Sequence, residues 1–211
     1  MAKKDDKVLV NRIEMLDQNG LHTNVPVPHF MKEPDGVVAY VGIWEIMRAY
    51  ILNNNIKTVL EFGTDRLLSA RIFAEAVGKD GHVTTVDRQD LKYKDVLKDY
   101  PNITFVHQDI YNLKWKKKVD MLYIDDLHNP NHLYWELEQF HKYADHIMIH
   151  DTIQILDLGI MLQQAVTSWC AKRYFPIITY TQNGCGLSII NMKENRGFYD
   201  QHKKMDNRLG K

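Results

Sequence analysis

From residue 57 to residue 191 short apolar runs alternate with longer stretches of helical periodicity, and this alternation constrains the fold more than any other feature of the chain. The runs at 57–62, 82–86, 103–107, 119–124 and 147–149 are too short for helices and read as buried strands. Between them, 67–77, 91–97, 133–143 and 155–169 carry apolar residues three and four apart, the spacing of a helix with one buried face. Two final strands, 175–180 and 186–191, flank Asn183-Gly184, a pair that favours a tight hairpin and so an antiparallel ending. Strands separated by helices cannot pair as hairpins. They form βαβ units, which predicts an α/β fold: a Rossmann-like, doubly wound, seven-stranded sheet with helices on both faces.

The 211 residues hold one such domain, placed at 37–193 and opening with a helix at 37–51. Ile43, Ile46, Met47, Tyr50 and Ile51 give that helix its apolar face, and Asn53-Asn54-Asn55 stops it. Residues 1–36, broken by glycine and proline, read as an arm with one short helix at 8–16, and 194–211 as a charged tail. Lys+Arg and Asp+Glu number 27 each, so the basic excess of a nucleic-acid-binding protein is missing. Neither a run of roughly 20 apolar residues nor the apolar core of a signal peptide occurs, so no membrane partner and a cytoplasmic location are expected. Cys170 and Cys185 read as unpaired and inert.

In open α/β sheets ligands bind beyond the carboxyl ends of the strands, where strand order reverses. Here those ends carry Glu61-Phe62-Gly63-Thr64, Asp87, Asp109, Asp125-Asp126 and His150-Asp151. One acid in such a place is ordinary, since acids cap helices and turns. Five successive strand ends with an acid point to a site. A carboxylate accepts from sugar hydroxyls, and a glycine lets backbone approach a ligand closely. Asp87 follows Gly63 by 24 residues, near the offset of a nucleotide-binding βαβ unit, which a nicotinamide-dependent oxidoreductase would share.

These residues resemble a class I S-adenosylmethionine-dependent methyltransferase over about residues 40–192. Val59-Leu-Glu-Phe-Gly-Thr-Asp-Arg-Leu-Leu-Ser-Ala70 looks like the family's first motif, Val83-Thr-Thr-Val-Asp87 like its second, which binds the ribose, and His107-Gln-Asp109 like its third, beside the adenine. Asp120 to His128 and His146 to Thr152 are similar to the small-molecule O-methyltransferases of the macrocin O-methyltransferase and cephalosporin hydroxylase-like type. The resemblance implies S-adenosylmethionine as cofactor, bound by Glu61, Gly63, Thr64, Ser69, Asp87, Arg88, Asp109, Ile110 and Asp125. It also implies Mg²⁺ or another divalent metal on Asp125 and Asp151, with His150 or Thr152 at the neighbouring position. His128 would be the general base, with Asp125 beside it in catalysis, and a small hydroxylated molecule the acceptor. The strand order it leads us to expect, counted within the sheet, is 3-2-1-4-5-7-6 with strand seven antiparallel.

The sequence departs from the family pattern twice. Asp65, Leu67 and Leu68 stand where glycines or small residues are usual, and their side chains would crowd the methionine part of the cofactor. His150 stands where an acid is common, which shifts metal preference from Mg²⁺ towards softer ions. A methyltransferase-like binding module without catalysis is therefore the alternative. Other features have plainer explanations. Asp126 can cap a turn, Lys116–Lys118 are a solvated loop, and Tyr40, Trp44, Tyr50 and Trp135 belong to the core. His128 and His132 have the spacing of a helical metal pair, but Pro130 between them marks a helix start. The arm and the helix at 37–51 offer a surface for a homodimer.

Overall fold

Alternate residues of each central strand face opposite ways, and this period of two builds two cores on one sheet. A computed structural model describes residues 12–16, 22–26, 41–91, 94–153, 157–180 and 186–193. In it β3 (Thr58–Phe62), β4 (His82–Asp87), β5 (Ile103–His107), β6 (Val119–Ile124) and β7 (Ala144–His150) run parallel, while β9 (Leu187–Asn191) pairs antiparallel with both β7 and β8 (Ile178–Tyr180). The order is β5-β4-β3-β6-β7-β9-β8, which is the expected 3-2-1-4-5-7-6. The reversal falls between β3 and β6, so the ends of these strands and of their neighbours share one edge.

On one face Val59, Met121, Tyr123, Met148 and Ile189 pack with Ile43, Met47 and Phe73 from α1 (Val41–Asn53) and α2 (Leu68–Val77). On the other, Leu60, Phe62, Leu122, Ile124 and Ile147 meet Leu133 and Leu137 of α3 (Pro130–Phe140) and Val166 and Trp169 of α4 (Asp157–Ala171). Asp120, at the start of β6, ties the opposite end of the sheet together by accepting from both backbone N–H groups of Lys57 and Thr58 at 2.8 Å. No helix among the described residues is long and apolar enough to cross a membrane.

Two sequence expectations need correcting. Within the expected helix at 8–16, Arg12–Leu16 is a strand, β1, paired antiparallel with β2 (His22–Pro26). A helix of only nine residues is marginal on its own, and the sequence between the strands carries Asn19-Gly20, a strong hairpin signal. The helix expected at 91–97 is a 3₁₀ helix, Lys94–Asp99. It buries no residue, and Pro101 follows closely, disfavouring α geometry just before it. Residues 37–40 and 155, the Asn183-Gly184 turn, Cys185 and the tail after Lys193 lie outside the described residues.

Candidate functional site

Gly63 begins the site. Its φ of +90° is comfortable only for glycine, and a Cβ there would lie 2.2 Å from the carbonyl oxygen of Asp125. The loop after β3 thus lies directly against the loop after β6. The chain continues through Asp65 at φ 39° and Leu67 at φ 64°, so the backbone takes the left-handed turns of a glycine-rich loop without the glycines. Each such residue costs on the order of 1–3 kcal/mol. The crowding expected from these side chains does not occur for Leu67, which points into the core and is fully buried; Asp65, its side chain 88% exposed, does line the cavity mouth.

A cavity at this edge is lined by Gly63, Asp87, Arg88, Asp109, Ile110 and Asp125, six of the nine residues expected around the cofactor. Glu61, Thr64 and Ser69 are buried and do not line it. Ser69 Oγ donates to Glu61 Oε1, Thr64 Oγ1 lies 2.6 Å from Thr85 Oγ1, and burial pushes Glu61 up to about 8. Asp87 is already engaged by backbone: Oδ2 accepts from the N–H of Thr64 at 3.0 Å and of Asp65 at 3.3 Å, and Oδ1 from Gln89 at 2.8 Å. Asp109 Oδ1 accepts from the N–H of Tyr111, capping a short 3₁₀ turn. These acids hold the loops that form the cavity.

At the ends of β6 and β7 the acids meet imidazoles. His128 Nε2 is 2.7 Å from Asp151 Oδ2 and 4.0 Å from Asp125 Oδ1, and His150 Nδ1 is 3.1 Å from Asp151 Oδ1 and 3.3 Å from Asp125 Oδ1. Tyr123 donates its hydroxyl to Asp125 Oδ2 at 3.1 Å. Asp151, at φ 57°, turns its carboxylate back across the strand end. Burial disfavours charge on His150, but Asp125 and Asp151 outweigh it and hold the imidazolium up to about 10. Burial likewise works against the Asp151 carboxylate, yet the hydrogen bond with His128 and the neighbouring His150 imidazole keep it well below the usual carboxylate range. The hydrogen bond to Asp151 raises His128 in turn.

The metal trio expected from sequence was Asp125, His150 and Asp151. The ligand atoms that all lie within 4.8 Å of one another belong to Asp125, His128 and Asp151. His150 lies beneath them, its ring stacked on Trp44 at 5.8 Å, and Thr152 is fully buried with its hydroxyl 2.9 Å from Ser188 Oγ. Sequence reasoning missed a second group altogether: Asp126, His132 and Glu136, again with ligand atoms within 4.8 Å. Asp126 and His132 also line the cavity. The signal was present in the spacing of His132 and Glu136, four apart on α3, whose start at Pro130 is fixed by the Asn129 side chain accepting from the N–H groups of Asn131 and His132.

No family model and no curated protein matches the chain. Solved structures do. A Podospora anserina methyltransferase with bound S-adenosylhomocysteine is 13% identical, with a TM-score of 0.59 over 77% of this chain and 83% of that one. The O-methyltransferase TomG of Streptomyces achromogenes, involved in tomaymycin synthesis and solved with S-adenosylmethionine, is 14% identical, with a TM-score of 0.53 over 77% and 84%. A Bacillus cereus O-methyltransferase in complex with S-adenosylhomocysteine is also 14% identical, with a TM-score of 0.52 over 78% and 84%. Sheet order, antiparallel closing strand and strand-end cavity agree with these likenesses: the chain has the fold of the class I S-adenosylmethionine-dependent methyltransferases.

Proposed function

We propose that this chain transfers the methyl group of S-adenosylmethionine to an oxygen of a small hydroxylated molecule. The observation that carries the reading is that Asp125 belongs both to the wall of the cavity and to the carboxylate–imidazole cluster. A donor held in the cavity would present its methyl group to an acceptor at that cluster. The residues fit the cofactor: Gly63 and the left-handed turns at Asp65 and Leu67 form a close backbone cradle, and Asp87 keeps acceptor capacity beyond its three backbone bonds. Bound cofactor supplies a methyl group on a sulfonium, from which the thioether leaves readily.

His128 takes the acceptor's proton as the O–C bond forms and the C–S bond breaks. Asp151 orients the imidazole through their 2.7 Å hydrogen bond and stabilises it once charged. Asp125 and Asp151 also fit a divalent ion, which when bound supplies Lewis acidity that lowers the hydroxyl's pKa.

Calorimetry with S-adenosylmethionine, S-adenosylhomocysteine and NAD tests the reading. Binding of the first two, and methyl transfer to hydroxylated acceptors that stops with chelator and resumes with added divalent ion, is the expected result. Preference for NAD would make the chain an oxidoreductase. Cofactor binding without turnover on any acceptor would make it a binding module.

A further inference from the structure

The group missed in the sequence has no part in that mechanism. His132, on the first turn of α3, places Nε2 2.9 Å from Asp126 Oδ2 and 3.5 Å from Glu136 Oε1. Glu136 is fully buried, and among the described residues neither of its oxygens has a hydrogen-bond partner; Asp126 Oδ1 has none either. A buried carboxylate without donors is costly, because it has lost its water and gained nothing in return. Three acceptor atoms of this group are therefore buried without a hydrogen-bond donor.

The other ring nitrogen of His132 is occupied. Nδ1 lies 2.8 Å from the Tyr111 hydroxyl, and Trp135 stacks on the ring at 5.8 Å. An imidazole whose Nδ1–H is bonded to an oxygen presents a lone pair at Nε2, which is how metal-binding histidines are commonly prepared. We propose that Asp126, His132 and Glu136 form a divalent transition-metal site of the zinc class, separate from the Asp125–His128–Asp151 cluster.

Charge balance supports the assignment. Two ionised carboxylates beside a neutral imidazole would bury two negative charges with nothing to balance them. Two carboxylates with a neutral imidazole and a divalent ion leave none. Imidazole with two carboxylates suits zinc and its neighbours better than Mg²⁺. Three protein ligands leave a fourth position, and since Asp126 and His132 line the cavity, a water or a ligand atom there can complete it.

The site does not depend on the methyl-transfer reading, and its test reads metal alone. The full-length protein carrying Asp151→Asn, which disables the other cluster, is stripped with chelator and titrated with Zn²⁺ and with Co²⁺, whose absorption reports coordination. One equivalent should bind, and anomalous scattering should place it about 2.0–2.2 Å from His132 Nε2 and the two carboxylates. Adding Glu136→Gln, which preserves shape, should weaken binding at least tenfold, and His132→Asn should do the same. Circular dichroism confirms that each variant is folded. No stoichiometric ion in the Asp151→Asn protein, or equal affinity after both further substitutions, would overturn the proposal.

Discussion

The two halves of the sheet edge use the same residue type in opposite ways. At the ends of β4 and β5, Asp87 and Asp109 spend their oxygens on backbone N–H groups, and the product is a shaped loop. At the ends of β6 and β7, Asp125, Asp126 and Asp151 face histidines, and the product is charge held close to a cavity. A carboxylate bonded to backbone holds a loop in shape. A carboxylate paired with imidazole shares a proton or a metal. On the proposed function, the first half would serve recognition and the second chemistry.

The largest expected effect lies in the second half. His128→Ala should slow methyl transfer by roughly 10²–10⁴-fold, the usual worth of a general base, with cofactor affinity unchanged by calorimetry. Metal analysis of His128→Ala combined with Glu136→Gln, which weakens the second group, sharpens the assignment, for retained metal makes His128 a base and lost metal makes it a ligand. Asp151→Ala should remove both orientation and metal, and so act like chelator. Next comes the residue at which the halves touch. Gly63→Ala would drive a Cβ into the Asp125 backbone at a φ of +90°, and should destabilise the fold by roughly 2–4 kcal/mol in denaturant titrations. If it were tolerated, the two loops would be far less tightly joined than described.

In the first half, Asp87→Ala should cost roughly 1.5–3 kcal/mol of cofactor affinity, about 10- to 150-fold, while turnover at saturation stays near wild type. A fall in saturated turnover instead would break the division between halves. The smallest effect on activity belongs to Glu61. Its folded value of about 8 lies above that of an unfolded carboxylate, so its contribution to stability is complete below the ordinary carboxylate value and declines as pH rises towards 8. Glu61→Gln should flatten the stability profile between pH 5 and 8, leaving the variant about 1–2 kcal/mol ahead of wild type at pH 8. A parallel pair of profiles would remove the argument.

Much of the framework was legible in the sequence because periodicity and strand-end chemistry are local. Apolar runs of three to six residues gave β3 to β7, and the acids that follow them marked the edge. What stayed hidden depends on backbone angles or on contacts between distant segments. Leu67 reads as a bulky intruder in a glycine loop until its φ of 64° turns it into the core. His128 and His150 are equal candidates as letters, and only the approach of residue 151 to residue 128 separates them. His132 was weighed against His128, four residues before it, when the partner on the helix was Glu136, four residues after. The β1–β2 pair was missed because one short segment fits either period.

The ring stacks on the two histidines have a practical consequence. Trp44 lies 17° from parallel with His150, and Trp135 lies 28° from parallel with His132, each pair 5.8 Å between centroids. An imidazolium quenches indole emission more strongly than a neutral imidazole does, so each cluster carries its own optical reporter. With the second tryptophan of the pair replaced by phenylalanine, and the constant background of Trp115 and Trp169 taken from the variant lacking both, the change in emission follows the arrival or departure of charge at one cluster, with no dye attached and no substrate known.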